Sequence, residues 1–234
     1  MLFMTVPTAG DRPELLSALI EQSGLPHEQI VIVSTWPGLT FPVGVNVVED
    51  LDRPNIQRWW ARGIAEAERR GATTVAVVND DIRLTPSTLT KLAGELGRTG
   101  AAIASPSRSP FKNGLHKRPL IPYEPRLWGS LWVLRLASGI RPDERYVWWY
   151  GDNDLDIRAR RDNGGVVLAD VEYEHLHPGE GTAKSVELQA QSDRDAQTFE
   201  QQYARLLRMS RFVTRWKQRL GSAQGKKAGV NASG

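Results

Sequence analysis

Two neighbouring carboxylates, Asp80 and Asp81, follow Asn79 at the end of a run of small and β-branched residues, 73–78. Carboxylates in this position can hold Mg²⁺ or Mn²⁺, and such a cation neutralises the charge that builds up when a phosphate-linked group leaves. The same residue types also suit an ordinary turn between a strand and a helix. The acidic pair is therefore a candidate metal site, and a plain turn is its structural alternative.

A second acidic cluster begins at Gly151 and Asp152, directly after the aromatic run 147–150. Aromatic neighbours exclude water from a carboxylate, which raises its pKa and suits it to act as a general base. Acidic residues also favour the first turn of a helix because of the helix dipole. Both interpretations of this cluster stay open from the residues alone.

Two histidines, His175 and His177, are separated by a single residue. Side chains two apart on a strand point to the same side, so both imidazoles could reach one metal ion. A pair of exposed histidines beside a loop is the structural alternative.

The segments that would position these clusters alternate between strand and helix through residue 105. Residues 73–78 are typical of a buried parallel strand, and ligands bind at the carboxyl ends of such strands. We therefore predict an α/β fold with a doubly wound, mostly parallel central sheet flanked by helices. The predicted strands are residues 2–6, 29–34, 45–48, 73–78, 101–105, 129–135 and 164–169.

Helix signals lie between these strands. Asp11 and Glu14 have the spacing of a capping box, Pro54 is expected to begin a helix, and Thr85 is expected to cap a third one before Pro86. Residues 106–127 show no periodicity, so they are predicted to form a long surface loop of the kind that often carries function.

Composition limits the classes of function. The chain has 234 residues, 40% hydrophobic residues and no cysteine, which excludes disulfides and thiolate metal sites. Six basic residues and no acidic ones follow from Arg211 onward, so the net charge of +3 belongs to the C-terminal part, and a nucleic-acid partner is not expected. Neither a signal peptide nor a membrane span is apparent, and we expect a cytoplasmic protein.

The order of the clusters resembles the family 2 type of GT-A fold nucleotide-sugar glycosyltransferases over about residues 2–180. No single segment is specific, whereas their order together is fairly specific for the family. The segments that carry the resemblance are residues 6–13, 55–64, 79–81, 129–135, 143–144 with 148–155, and His175.

The resemblance implies roles for individual residues. Asp81 and His175, with His177 as second choice for the histidine, would hold Mn²⁺ or Mg²⁺, and Asp152 would deprotonate the acceptor hydroxyl. The other implied site residues are Thr8, Asp11, Asp80 and Arg58 for the donor, and Trp148, Trp149 and Tyr150 for the acceptor. For Trp132, which lies in a predicted strand, we expect a core position.

The sequence also departs from the family pattern. Asn79 replaces the first acidic residue of the metal motif, and Ser34-Thr35 stands where an acidic residue often holds the base. Ala61 stands where Asn is usual, and Gly151 replaces the Glu that commonly precedes the catalytic Asp. The departures at Asn79, Ala61 and Gly151 motivate one alternative, a non-catalytic sugar- or nucleotide-binding adaptor with the same fold.

The function that fits the resemblance is inverting transfer of a sugar from a nucleotide-diphosphate donor to a glycan, lipid-linked or protein acceptor. A metal-dependent sugar-phosphate nucleotidyltransferase is a further alternative, although residues 7–11 are a poor version of the Gly-rich, basic phosphate loop that it needs.

We predict three parts of the chain: a GT-A-like domain at residues 1–182, a helical extension at 183–220 and a disordered basic tail at 221–234. Residues 205–220 mix apolar with basic side chains, so this helix could lie on an anionic membrane as a peripheral contact. Packing onto the domain with a solvated basic face is the alternative.

Overall fold

The computed structural model describes residues 1–118, 120–177 and 186–230, with side chains as far as residue 218. Eight strands form the central sheet: β1 (Leu2–Thr8), β2 (Ile30–Ser34), β3 (Asn46–Glu49), β4 (Thr74–Val78), β6 (Ile103–Pro106), β7 (Gly114–His116), β8 (Leu131–Arg135) and β9 (Val166–Ala169). Two short strands, β5 (Ile82–Leu84) and β10 (Tyr173–His175), pair antiparallel in a separate ribbon.

The strand order of the central sheet is β3-β2-β1-β4-β8-β6-β9-β7. The pairs β1–β2, β1–β4, β2–β3 and β6–β9 are parallel, while β8 runs antiparallel to both β4 and β6, and β7 to β9. The predicted α/β fold with a mostly parallel sheet is confirmed. The chain reverses its winding at β1 and β4, and the carboxyl ends of such strands form the crevice in which open α/β sheets bind ligands.

Six α-helices accompany the sheet within the described residues: α1 (Pro13–Gln22), α2 (Ile56–Arg69), α3 (Thr88–Thr99), α4 (Gly151–Asp162), α5 (Val186–Gln202) and α6 (Ala204–Val230). The apolar sides of α1 and α3 pack on one face of the sheet, and those of α2 and α4 pack on the other. Trp132 of β8 is fully buried and meets Trp60 of α2 edge to face at 5.5 Å, so its predicted core position is confirmed.

A third apolar cluster connects α5 to the rest of the domain. Tyr146, Ile157, Phe199 and Tyr203 are buried together, and Leu207 of α6 packs against them. The predicted domain boundary at residue 182 and the last four residues of the predicted tail lie outside the described residues, so the division into three parts stays a prediction. No helix in the described segments has the length and apolarity that crossing a membrane requires.

The predicted helix caps at the first and third helices are wrong. Arg12, not Asp11, is the N-cap of α1, and Ser87, not Thr85, is the N-cap of α3; neither makes a side-chain cap bond. Thr85 instead donates its hydroxyl to the Glu172 carbonyl at 3.0 Å. A contact with a distant segment has thus replaced the local cap.

Two further expectations also need correction. Asn55 caps α2, with its side-chain oxygen accepting the Arg58 backbone N–H, so the helix begins after Pro54 rather than at it. The segment 106–127 is not a continuous surface loop, because β7 lies within it and both Leu120 and Leu127 are buried. Short strands such as β7 lack enough residues to show a period.

Candidate active site

A cavity of about 510 Å³ brings the three chemical clusters together. Asp81, Asp152 and His175 all line it, although they are far apart in the sequence. Trp148, Trp149, Tyr150 and His177 line the same cavity. The strand and helix ends that were singled out from the sequence therefore share one site.

The two carboxylates of the acidic pair point in different directions. Asp80 accepts a hydrogen bond at 2.7 Å from the hydroxyl of Thr8, at the end of the neighbouring strand β1. Asp81 lies beside Arg12 Nη1 and His175 Nε2, each 3.3 Å from its Oδ2 atom. The other oxygen, Asp81 Oδ1, is buried and has no hydrogen-bond partner among the described residues.

Strand pairing explains why His175 meets Asp81. In the ribbon of β5 and β10, His175 is paired with Ile82, the residue after Asp81. The backbone N–H of Leu176 also donates to the Asp81 carbonyl at 3.0 Å. The backbone therefore fixes the distance between the carboxylate and the imidazole.

The same surroundings shift the pKa values of the pair in opposite directions. Burial raises the pKa of Asp80, and the negative charge of Asp81 adds to this, although the Thr8 hydrogen bond opposes it. Burial would raise the pKa of Asp81 too, but the hydrogen bond and charge of His175 and the charge of Arg12 together hold it below its ordinary value. Asp81 is thus the better anionic ligand.

These residues fit a divalent cation that is only partly held by protein. Asp81 offers a buried Oδ1 atom that has no partner in the described segments, and His175 offers an imidazole nitrogen beside the same carboxylate. Within the described segments, no group of three or more His, Cys, Asp or Glu side chains is arranged to hold a metal. Mg²⁺ commonly binds through one or two carboxylates plus substrate phosphates, so two protein ligands are sufficient. Metal binding itself stays a prediction.

Asp152 lies in the first turn of α4, which follows Tyr150 in a left-handed backbone conformation (φ +64°). Its Oδ2 accepts the Gly129 N–H at 3.1 Å, and its Oδ1 accepts the Asn153 N–H at 2.9 Å. Loss of water around the carboxyl raises the pKa of Asp152, and these backbone hydrogen bonds offset only part of that effect. The group is therefore oriented and suited to take a proton.

The other carboxylates of this cluster have structural partners. Asp154 is fully buried and accepts hydrogen bonds from the Tyr203 hydroxyl at 2.6 Å and Gln202 Nε2 at 2.9 Å. Asp156 is also buried and accepts from the Arg126 N–H at 3.1 Å, and burial raises its pKa to about 6. Of the three carboxylates, only Asp152 lines the cavity.

The aromatic wall of the cavity, formed by Trp148, Trp149 and Tyr150, is supported by contacts with α5. The buried carboxylate of Asp195 accepts the backbone N–H groups of Val147, Trp148 and Trp149 at 2.9–3.2 Å. Tyr150 stacks on Phe199 of α5, with ring centroids 5.1 Å apart. This helix therefore fixes the backbone from which the cavity tryptophans project.

The remaining predicted donor residues lie outside this cavity. Thr8 and Asp80 meet at the ends of β1 and β4, and the side chain of Asp11 is largely exposed. Arg58 does not line the cavity: its guanidinium pairs with the buried Asp50 at 2.9 and 2.8 Å. Its predicted contact with the donor is therefore not supported by the position of its side chain.

The sequence did not lead us to predict a role in the site for three polar residues that lie near it: Arg12, Arg108 and Gln57. Arg108 lies 5.0 Å from the ring centre of Trp128 and donates to the Tyr173 hydroxyl. It belongs to the segment predicted as a functional loop, which was the available signal. Gln57 lies on the same buried side of α2 as Ile64. A polar residue among the apolar positions of a helix was therefore the sequence feature that could have identified it.

Comparisons with known proteins agree on the fold. No protein-family model matches the chain, and no curated protein sequence matches it. The structure of S. aureus TarS 1–349 is similar, with a TM-score of 0.56 at 13% identity over 87% of this chain and 72% of that one. Its complexes with UDP and UDP-GlcNAc give TM-scores of 0.55 and 0.54 at 14% identity and the same coverage. At such low identity the similarity shows the fold alone, and the predicted GT-A fold is confirmed.

Proposed function

We propose that this protein is an inverting glycosyltransferase that moves a sugar from a nucleoside-diphosphate donor to an acceptor hydroxyl. The observation that carries the proposal is that Asp152 and Asp81 line one cavity, in which Asp152 would accept a proton and Asp81 would bind a metal ion. The structural similarity to TarS, which has been crystallised with UDP and UDP-GlcNAc, supports a nucleotide sugar as donor.

Asp152 would act on the acceptor. Its raised pKa and its two backbone hydrogen bonds hold a carboxylate ready to remove the proton of an attacking hydroxyl. Attack on the sugar carbon from the side opposite the leaving diphosphate inverts the anomeric configuration. The cavity residues Trp148 and Trp149 offer aromatic surfaces on which the CH faces of a sugar can pack.

Cationic and metal-binding groups would act on the donor. Arg12 beside Asp81, and Arg108 in the cavity wall, offer positive charge toward a diphosphate. Asp81 and His175 would hold the Mn²⁺ or Mg²⁺, which stabilises negative charge on the leaving group. We assign Thr8, Asp80 and Asp11 to the donor side as well, because they lie at or just after the carboxyl ends of β1 and β4, where such folds bind nucleotides.

A panel of nucleotide sugars with Mn²⁺ or Mg²⁺ tests the proposal. We expect one donor to raise the melting temperature and to be transferred or slowly hydrolysed, because a ligand that binds only the folded state adds stability. Binding without turnover over a broad acceptor panel would favour the adaptor, whereas release of pyrophosphate from a nucleoside triphosphate would favour the nucleotidyltransferase. The absence of any bound donor with either metal contradicts the enzyme.

We also propose that α6 contacts an anionic membrane surface. Met209, Phe212 and Trp216 repeat on one side of the helix and are 47%, 72% and 56% exposed, whereas Leu207 packs toward the domain. The same helix carries five basic residues between positions 205 and 217, and they are Arg205, Arg208, Arg211, Arg215 and Lys217. An exposed apolar stripe on a helix that is rich in basic residues is the pattern of helices that lie in a membrane interface.

Vesicle co-sedimentation tests this contact. We expect binding to phosphatidylcholine vesicles that contain phosphatidylglycerol, weaker binding at high salt, and loss of binding when Phe212→Ser and Trp216→Ser are combined. Val43→Ser, which removes an exposed apolar side chain elsewhere, is the matched control. Absence of binding, or equal binding to vesicles without the anionic lipid, would contradict the proposal.

A further inference from the structure

Gln57 has a buried side-chain amide whose oxygen accepts no hydrogen bond from the described part of the chain. The residue is 1% exposed, and its Oε1 atom has no hydrogen-bond partner among the described residues. Gln57 nevertheless lines the cavity that contains Asp152. A buried polar atom without a partner is unfavourable, and most such atoms in folded proteins are satisfied. A ligand in the cavity is the available partner.

The backbone around Asp152 makes room for this amide. A Cβ atom on Gly151 would lie 2.1 Å from both Cδ and Nε2 of Gln57 and 2.4 Å from its Oε1. The amide therefore occupies the space where any side chain at position 151 would begin, immediately before Asp152. With any other residue at position 151, the amide of Gln57 would have to move from the place that it occupies.

The helix that carries Gln57 is fixed to the same segment. The backbone N–H of Ile56 donates to the Val147 carbonyl at 2.9 Å, and Asn55 caps the first turn of α2. Position 57 is therefore held against residues 147–151 by the backbone rather than by a hydrogen bond of its own amide oxygen. A Met or Leu would fill the same volume without burying an unpaired oxygen.

We propose that Gln57 is a specificity-determining residue that reads the transferred sugar, with its amide oxygen accepting a hydrogen bond from a sugar hydroxyl or from the N–H of an amide-substituted sugar. This inference rests on the proposed function. The acceptor oxygen that Asp152 deprotonates must lie against the reacting carbon of the donor sugar. A side chain in contact with the residue before Asp152 is therefore within reach of the substituents near that carbon.

The test compares a nucleotide sugar with the nucleoside diphosphate alone. Calorimetric dissociation constants are measured with Mn²⁺ for UDP, UDP-glucose and UDP-GlcNAc, and for the GDP and dTDP counterparts if no uridine compound binds. Gln57→Met has nearly the same length as the native residue and lacks the amide. We expect it to weaken binding of the preferred nucleotide sugar roughly tenfold, the effect of one lost hydrogen bond in a closed site, and to leave the affinity for the nucleoside diphosphate unchanged.

Gln57→Glu provides the rescue. It retains an acceptor oxygen, and its negative charge repels both ligands through their shared diphosphate, so the ratio of the two dissociation constants is expected to stay near the wild-type ratio. Gln189→Met, the same substitution at an exposed position on α5, is the matched control for loss of an amide.

Each outcome has a distinct meaning. If wild-type protein binds a nucleotide sugar and Gln57→Met leaves the ratio unchanged, Gln57 does not read the sugar. Equal weakening of both ligands would assign Gln57 to the support of the fold and also overturn the inference. If wild-type protein binds no nucleotide or nucleotide sugar of the panel, the proposed function itself fails.

Discussion

Replacing Asp152 by Asn tests the centre of the proposed mechanism. Both carboxylate oxygens accept backbone N–H groups, from Gly129 at 3.1 Å and from Asn153 at 2.9 Å. The substituted amide keeps the shape of the carboxylate and can retain one of these bonds, but its NH₂ group meets the other N–H donor. One lost hydrogen bond costs about 1 kcal/mol, and removal of a poorly hydrated charge offsets part of that cost. The variant is therefore expected to fold.

The effect on catalysis should be much larger. A positioned general base contributes roughly 10²- to 10⁴-fold to a rate, which corresponds to about 2.7–5.4 kcal/mol of transition-state stabilisation. Because the base acts on the acceptor, the loss should appear in kcat for transfer and not in the dissociation constant of the donor. Steady-state transfer kinetics and calorimetry with the same nucleotide sugar measure both quantities.

Asp162→Asn is the matched control, since this carboxylate lies at the exposed end of the same helix. Its kcat should match that of the wild type. A kcat for Asp152→Asn within tenfold of the wild-type value, with donor affinity unchanged, would refute the assignment of Asp152 as the base. A parallel loss of donor affinity and melting temperature would instead mean that the substitution disturbs the fold.

The geometry of the site supports four further predictions. Because burial raises the pKa of Asp152, kcat should increase with pH through a value above the ordinary Asp pKa of about 3.9, and an acid limb at or below that value would contradict this. Asp81→Asn should abolish any Mn²⁺-dependent gain in donor affinity, measured by calorimetry with Mn²⁺ or with a chelator, and an unchanged gain would exclude Asp81 as a ligand. Asp195→Ala should lower the free energy of unfolding by on the order of 3 kcal/mol, because three backbone N–H groups lose their acceptor. Denaturant titration measures the free energy of unfolding, and a decrease of less than about 1 kcal/mol would contradict this role of Asp195. Gly129→Ala should reduce kcat roughly 10- to 100-fold, because its Cβ would lie 2.8 Å from Trp60 Cη2 and displace the N–H that orients Asp152. Donor affinity, measured beside kcat, should stay constant. An unchanged kcat would count against this positioning role of Gly129.

The position of the acidic pair could be predicted from the sequence because a buried strand ends there and the residue types change abruptly. The difference between the two carboxylates could not. Asp80 pairs with Thr8 of β1 and Asp81 with His175 of β10, and both partners arrive through strand pairing over long sequence distances. The local sequence pattern identifies the carboxyl end of a strand. Contacts with residues distant in the sequence decide which of its side chains faces the cavity.

The same reasoning explains the residues on α2. The helix and its buried face follow from the apolar spacing, whereas Arg58 was assigned to the donor and is instead engaged by Asp50, which follows β3. Its neighbour Gln57 lines the cavity, and its amide occupies space that a side chain at position 151 would need. Gly151, which departs from the pattern of the family that the sequence resembles, is therefore matched by Gln57 of α2, which fills the space beside it. A single sequence does not reveal such a pair of residues.

The two sides of the cavity depend on different parts of the chain. The Asp81 side is assembled by β4, β5, β10 and the loop before α1, and the contacts described above for Asp81 are with residues before 178. The aromatic side depends on α5, because Asp195 holds the backbone of Trp148 and Trp149, and Tyr203, which follows this helix, holds Asp154 of α4. Changes in α5 should therefore alter the use of acceptors while the affinity for the donor is preserved. In this respect the helical extension supports one wall of the site.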